Sequence, residues 1–375
     1  MTTWITNDIA SFLVSLLLAG IIIPQILLIA FRKKLFDEID ARKVHKGVVP
    51  RLGGIAFFPS ILFSLALVAG VNMKMFGLES VMNFSYSIVP MYFMICAVLL
   101  MFLVGIADDL VGVRYMAKFV VQIMSAILIM ASGMSIDNFF GLLWLHELPS
   151  VIAWAFTLFA VVYVVNSINL IDGIDGLASG LSTVALIFYA VIFFFSGEYV
   201  YSMLASASAG TLLPFFYYNV FGNAKKQKKI FMGDTGALTT GMILAFCSIA
   251  VLHLNIPDFR VTFNPVVIAV CPLIIPCLDV LRVSLHRLRH HRNPFLPDKC
   301  HIHHKLLALG YNQRTALCLI MAFAILFILL NVLISPYVNP TLIIILDVAI
   351  YVVVNLFLTK AIMRRESVTG MHMYD

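Results

Sequence analysis

Eleven apolar runs, most of about twenty residues, follow one another along this chain of 375 residues. They cover roughly 9–31, 53–71, 88–107, 117–134, 151–168, 177–196, 199–218, 236–254, 263–282, 315–335 and 339–360. A hydrocarbon layer about 30 Å thick is crossed by roughly 20 residues of α-helix, and only helices or closed barrels can satisfy their backbone groups inside it. The runs therefore predict an all-α, polytopic integral membrane protein with about 11 transmembrane helices. Composition points the same way: the chain is 62% hydrophobic and only 12% charged, whereas soluble domains carry about 25% charged residues. A soluble enzyme and a secreted disulfide scaffold are both excluded.

An odd number of spans puts the termini on opposite sides, and the distribution of Lys and Arg tests the count. Of the 25 Lys and Arg residues, all but Lys74 and Arg260 fall in alternate loops or in the C-terminal tail. This predicts an N-terminus outside and a C-terminus in the cytoplasm. The net charge of +6 is thereby a topology signal, and no nucleic-acid partner is expected. The first run has no basic leader or cleavage site and is too long for a signal peptide, so it reads as a span. Five of the six cysteines lie inside apolar runs and read as small core hydrophobes.

The dense polar clusters all fall on the side assigned to the cytoplasm. A transporter concentrates ionisable groups near the bilayer midplane, whereas these sit at span ends and favour an enzyme facing the cytosol; a transporter or lipid flippase is the alternative from another class. Asp347 reads as the carboxylate well inside a span, and pairing with Asn331 would make it structural. Asp108 and Asp109 are adjacent anions, which repel unless a cation or a proton-transfer role stabilises them; Lys118, at the start of the next helix, is placed to reach a phosphate. In the string Asn166–Gly176, two Asn and two Asp recur at 166, 169, 172 and 175, so one helical or turn-like face could present them together. In Phe231–Gly236, Asp234 between glycines reads either as part of a helix start capped by Thr235 or as a hard oxygen ligand for Mg²⁺ beside free backbone amides. The stretch 297–306 holds Cys300, His301, His303 and His304 below an Arg-rich segment. Zinc would need a second ligand pair, which the inner loops lack, so imidazole and guanidinium donors to phosphate and sugar oxygens are the better reading.

The order DDLVG, NSINLIDGIDG, FMGDTG and DKCHIHH, with DARKVHKGVVPRLGG at 40–54, resembles the bacterial polyprenyl-phosphate N-acetylhexosamine-1-phosphate transferases. The likeness covers about residues 37 to 314 and is greatest to enzymes that start O-antigen, enterobacterial common antigen or teichoic acid synthesis. The related muramoyl-pentapeptide transferases share the Asp motifs, but their histidine loop runs through three adjacent histidines, unlike His301-Ile302-His303-His304-Lys305.

The resemblance implies a single integral membrane transferase domain over 1–375, in the bacterial inner membrane. The implied reaction is a Mg²⁺-dependent transfer, with Mn²⁺ as a substitute, of GlcNAc-1-phosphate from UDP-GlcNAc to undecaprenyl phosphate, releasing UMP. The same chemistry on another UDP-sugar, including the muramoyl-pentapeptide donor, is the alternative, and a homodimer is allowed for. By matching motifs, Asn169 and Asp234 are expected to hold the metal with Asp172 nearby. Asp108, Asp109 and Asp172 take the catalytic places. Phe231 and Asp175 are expected at uracil, Asn166 at the substrate, Lys118 at phosphate, and Arg289 with His301, His303 and His304 at the sugar phosphate.

Overall fold

A computed structural model describes residues 2–36, 49–77, 85–254, 263–291 and 300–369. Most of the 40–54 motif, and residues 297–299 before the histidines, lie outside them. The described residues contain helices and one isolated β-bridge, Asn138 with Glu147, but no strand. The helices are α1 Thr2–Lys33, α2 Phe57–Phe76, α3 Ser85–Val111, α4 Tyr115–Ala131, α5 Ser150–Ile171, α6 Leu177–Phe195 and α7 Tyr199–Val220. They continue as α8 Gly233–Leu252, α9 Pro265–Val270, α10 Ile274–Arg289, α11 Ile302–Ala308, α12 Gln313–Ile334 and α13 Pro340–Thr369.

All eleven apolar runs are helical, α9 and α10 together forming the ninth. Among the described residues, nine are long and apolar enough to cross a membrane. The other two are α4, which is only 17 residues long, and α7, whose sequence is interrupted by Ser, Ala and Gly. Those small residues let α1 and α7 approach closely: a Cβ on Gly210 would lie 2.3 Å from the Phe12 carbonyl oxygen. Helix α8 is almost wholly enclosed at the centre of the bundle. The outer helices leave Leu17, Ile21, Leu329, Leu333 and Phe357 exposed, a belt that water would penalise and lipid would not.

Helix boundaries depart from the expectation where charge meets helix. The fifth run continues to Ile171, so Asn166 and Asn169 project from the last turns of α5 rather than from a loop. The ninth is broken by a 3-10 turn at Cys271–Leu273, where Pro272 lacks an N–H and cannot continue the α-helical ladder. Its second half then runs on to Arg289, carrying charges expected in a loop. Asp347 accepts from Asn331 Nδ2 at 3.2 and 3.0 Å within the bundle, the pairing that makes it structural. Asp8 in α1 and Asp279 in α10 also fall within helices long and apolar enough to span.

Three close backbone approaches place the polar end. The strap Val49–Gly54, which runs into a 3-10 turn at Gly53–Ala56, pairs with the residues just before α8: Phe231 N–H donates to the Pro50 carbonyl at 2.9 Å, and Gly53 and Gly54 N–H donate to Phe231 and Met232 carbonyls at 3.0 Å. A Cβ on Gly54 would lie 2.0 Å from Gly236 N, and one on Gly105 of α3 would lie 2.4 Å from Thr235 Cα. Glycine at these positions is what lets α3, the strap and α8 converge.

Candidate active site

Helices α3, α4, α5 and α8 bring Asp108, Asp109, Asp234, Lys118 and Asn169 to one end of the bundle. One oxygen from each of the three carboxylates lies within 4.8 Å of the others. Three anions so close require a counter-charge, and Lys118 supplies one, its Nζ standing 2.8 Å from Asp234 Oδ2 and 3.2 Å from Asp108 Oδ2. Asn169 Nδ2 donates to Asp234 Oδ2 at 3.4 Å. The backbone N–H of Val113 also donates to Asp108 Oδ1 at 2.8 Å, tying the carboxylate to the turn after its helix.

The two adjacent aspartates differ in their work. Asp109 caps α8 from another helix: Oδ1 accepts from Asp234 N at 2.8 Å, and Oδ2 accepts from Thr235 N at 2.9 Å and Thr235 Oγ1 at 2.5 Å. The first N–H groups of a helix have no partner within it and carry its positive pole, so a carboxylate there is stabilised twice over. The cap of α8 is thus Asp109, with Thr235 donating to it, and not Thr235 itself. Asp108 faces the ammonium instead.

The string Asn166–Gly176 does not present one shared face. On a helix with 3.6 residues per turn, each step of three slips by about 60°, and the helix ends before Asp172. Asn166 is taken up by Gln122 of α4, donating to Oε1 at 2.7 Å and accepting from Nε2 at 3.4 Å. Asn169 reaches Asp234. Asp172 lies just past α5 and is exposed to solvent; its partial desolvation, then the charges of Asp175, Asp234 and Asp109, raise it above the usual carboxylate range, with Arg51 opposing. Asp175 pairs with Lys229 Nζ at 2.5 Å, and that ammonium lies 5.9 Å from the Phe231 ring centroid. Lys229 therefore brings Asp175 and Phe231 to one patch. Gly176, at a φ of 79°, donates its N–H to Asn219 Oδ1 at 2.5 Å and turns the chain into α6.

The histidines are brought onto this motif from the far side of the chain. His303 packs against Gly173, where an added Cβ would meet its Nε2 at 2.0 Å. The residue is 1% exposed, and neither ring nitrogen has a hydrogen-bond partner among the described residues. Burial, then the neighbouring His304, pulls it down to about 3, with Asp279 opposing and His301 adding to the fall. His301 stacks on His303 with centroids 5.6 Å apart, and His304 lies 4.2 Å from His303 on the same measure. Arg289 is exposed at the end of α10, whereas Arg287 is buried. Two residues apart on a helix means nearly opposite faces, so the two arginines point to different sides of α10.

Sequence reasoning missed Asp279, Lys229, Gln122 and Arg51. From sequence, Lys229 reads only as a topology signal, and Arg51 as that and as a member of the 40–54 motif. Asp279 had a legible signal, since a carboxylate in an apolar run with Arg282 three residues on marks an internal pair.

A bundle of apolar helices with an acid-lined, lysine-bridged cluster at one end is a polytopic membrane protein with a polar reaction-type site. The profile of glycosyl transferase family 4 matches residues 90–252. The probable undecaprenyl-phosphate N-acetylglucosaminyl 1-phosphate transferase of Bacillus subtilis is 32% identical over 321 residues, covering 85% of this chain and 82% of that protein. The undecaprenyl-phosphate alpha-N-acetylglucosaminyl 1-phosphate transferases of Yersinia pestis and Escherichia coli K12 are 31% and 30% identical over 309 residues, 81% of this chain and 78% of each. The chain belongs to this family of polyprenyl-phosphate N-acetylhexosamine-1-phosphate transferases.

Proposed function

We propose that the protein transfers GlcNAc-1-phosphate from UDP-GlcNAc to undecaprenyl phosphate at the cytoplasmic face of the bacterial inner membrane, releasing UMP to begin a cell-surface polysaccharide. The single observation that carries the reading is the cluster of Asp108, Asp109 and Asp234 with Lys118 at the end of an apolar bundle. A lipid acceptor and a charged nucleotide donor can meet only at such a boundary. The N-terminus is then outside and the C-terminus cytoplasmic, and the chain works as one membrane domain.

A divalent ion suits the donor set: hard carboxylate oxygens within 4.8 Å of one another and an amide close by are the ligands Mg²⁺ prefers. Asp108 and Asp234, with the Asn169 carbonyl oxygen, would hold it. When bound, Mg²⁺ neutralises charge on the diphosphate and on the departing UMP. Lys118 turns its ammonium from the carboxylates toward phosphate oxygens. A phosphate oxygen of the acceptor attacks the donor's β-phosphorus, and the bond from that phosphorus to the bridging oxygen of the diphosphate breaks. The second phosphate pKa is about 6, so the acceptor is largely dianionic at neutral pH, and Asp108 need only orient it. Asp109 keeps the start of α8 in place, Asp175, Lys229 and Phe231 form the base patch, and the histidines close over the sugar phosphate.

The test combines purified protein, undecaprenyl phosphate, Mg²⁺ and a panel of UDP-sugars, with UMP release measured. UMP release with UDP-GlcNAc and its loss in EDTA are expected. Activity confined to another UDP-sugar would move the protein to the sister specificity, and activity in metal-free buffer would remove the metal. Single cysteines near Lys226 and Lys74 should be labelled from the cytosolic and outer sides respectively; the reverse pattern would refute the cytoplasmic site.

A further inference from the structure

We propose that Asp279 is a positioning residue for this reaction, setting the orientation and tautomer of His301. The proposal rests on the transferase reading for its kinetic consequence alone; the geometry stands apart from it.

Asp279 is fully buried in α10, where an isolated carboxylate would be costly. Four donors from three helical segments meet it. Oδ2 accepts from His301 Nδ1 at 2.8 Å. Oδ1 accepts from Ile302 N at 3.0 Å, Arg282 Nη2 at 3.1 Å and Tyr351 OH of α13 at 2.8 Å. Arg282 also donates to the Cys300 carbonyl, so the same guanidinium holds the backbone entering α11. An ionised carboxylate only accepts. The proton of His301 therefore sits on Nδ1, and Nε2 is the nitrogen left for other partners.

The hold on one ring passes to the next. His301 is parallel to His303 within 8°, and His303 is packed against Gly173 of the Asp-rich motif. Asp279 thus ties α13 and α10 to the histidine segment that packs on Gly173 of the Asp-rich motif, although it touches no member of the carboxylate cluster itself. A purely space-filling role would not need each oxygen to be addressed by a different class of donor.

The isosteric variant Asp279→Asn separates orientation from bulk. Three donors converge at the Oδ1 position, so the asparagine carbonyl belongs there and its NH2 faces His301. Nδ1 must then accept, and the ring proton moves to Nε2. The nitrogen available to substrate changes from acceptor to donor. A wrong tautomer in an otherwise intact acid–histidine pair of a serine protease costs about 10⁴-fold in turnover, and a loss on the order of 10²-fold or more in kcat, with a smaller change in KM, is expected here.

The experiment uses full-length protein labelled with ¹⁵N-histidine in detergent. A long-range ¹H–¹⁵N correlation reads the tautomer of His301, assigned by its loss in His301→Ala. Nδ1–H in the wild type and Nε2–H in Asp279→Asn are expected. In parallel, Asp279→Asn should lower kcat strongly in the wild-type background and by less than about threefold on top of His301→Ala, because the effect passes through that ring. An Nε2–H tautomer in the wild type would overturn the proposal, and so would an equal loss in both backgrounds or a folded Asp279→Asn with wild-type kcat. If Asp279→Asn does not fold, the wild-type spectrum still decides. A protein that releases UMP from no UDP-sugar refutes the transferase reading instead, while the spectrum answers separately for Asp279.

Discussion

Asp109→Asn tests whether the second aspartate of the pair shapes the site or reacts in it. Its two oxygens receive three hydrogen bonds from the start of α8, one at Oδ1 and two at Oδ2. An asparagine oriented to keep Thr235 retains two bonds to a neutral acceptor and turns an NH2 toward the Asp234 N–H. One bond to a charged acceptor is lost, worth about 1.5–3 kcal/mol, and two are weakened by about half a kcal/mol or more each. The favourable meeting of a full negative charge with the helix pole goes too. The variant should therefore be less stable by about 3 kcal/mol, with Asp234 displaced from Lys118 and turnover reduced at least tenfold. Thermal unfolding in detergent at fixed pH, beside UMP release, measures both. Asp108→Asn provides the contrast, since Asp108 caps no helix start: it should lose activity with a smaller fall in unfolding temperature. An Asp109→Asn protein that melts with the wild type yet is inactive would refute the capping argument and return Asp109 to a reacting role.

Other consequences follow from the same contacts. Lys118→Met removes the ammonium that competes for Asp108 and Asp234, so half-maximal activity should need less Mg²⁺ even as kcat falls; a higher Mg²⁺ requirement would contradict the competition. Gly173→Ala places a methyl within 2.0 Å of His303 Nε2, and overpacking of this kind costs about 1–3 kcal/mol, so the histidine segment should be driven off and kcat/KM should drop more than tenfold, with wild-type kinetics counting against that contact. Burial pulls the His303 imidazole down to about 3 in the fold, against about 6.5 in an unfolded chain. Below 6.5 the unfolded state binds the proton that the fold excludes, so stability is retained above that value and lost as pH falls toward 3. His303→Phe should flatten that part of the unfolding-temperature profile, and an unchanged slope would show that other groups cause it.

The contrast between Asp108 and Asp109 shows where sequence reasoning stops. Two neighbouring aspartates after an apolar run announce a polar helix end, but they point about 100° apart on the helix. Which one meets Lys118 and which one caps α8 depends on a segment 125 residues further along the chain. The same holds for Asn166 and Asn169: their spacing suggested one shared face, yet Gln122 of a neighbouring helix occupies the first and Asp234 the second. Histidine chemistry was legible as a cluster, whereas the division of labour within it was not, because Asp279 lies in another apolar run and Gly173 in another motif.

The positions of the apolar runs, their all-helical character and the gathering of Asp motifs and histidines at span ends were determined by the sequence alone; of the eleven spans it predicts, nine helices among the described residues are long and apolar enough to cross a membrane, and the topology expectation rests on the same loops. The reason is that burial in lipid demands about twenty apolar residues at a time and leaves charged groups at the ends, which is a local property of the chain. Tertiary structure alone decided which charge answers which: Asp109 to the start of α8, Lys118 between Asp108 and Asp234, Asp279 to His301, Asp175 to Lys229. Each pairing offsets desolvation at a distance of a few ångströms, and only the packing of helices on the glycines at 54, 105, 173 and 236 brings those groups that close.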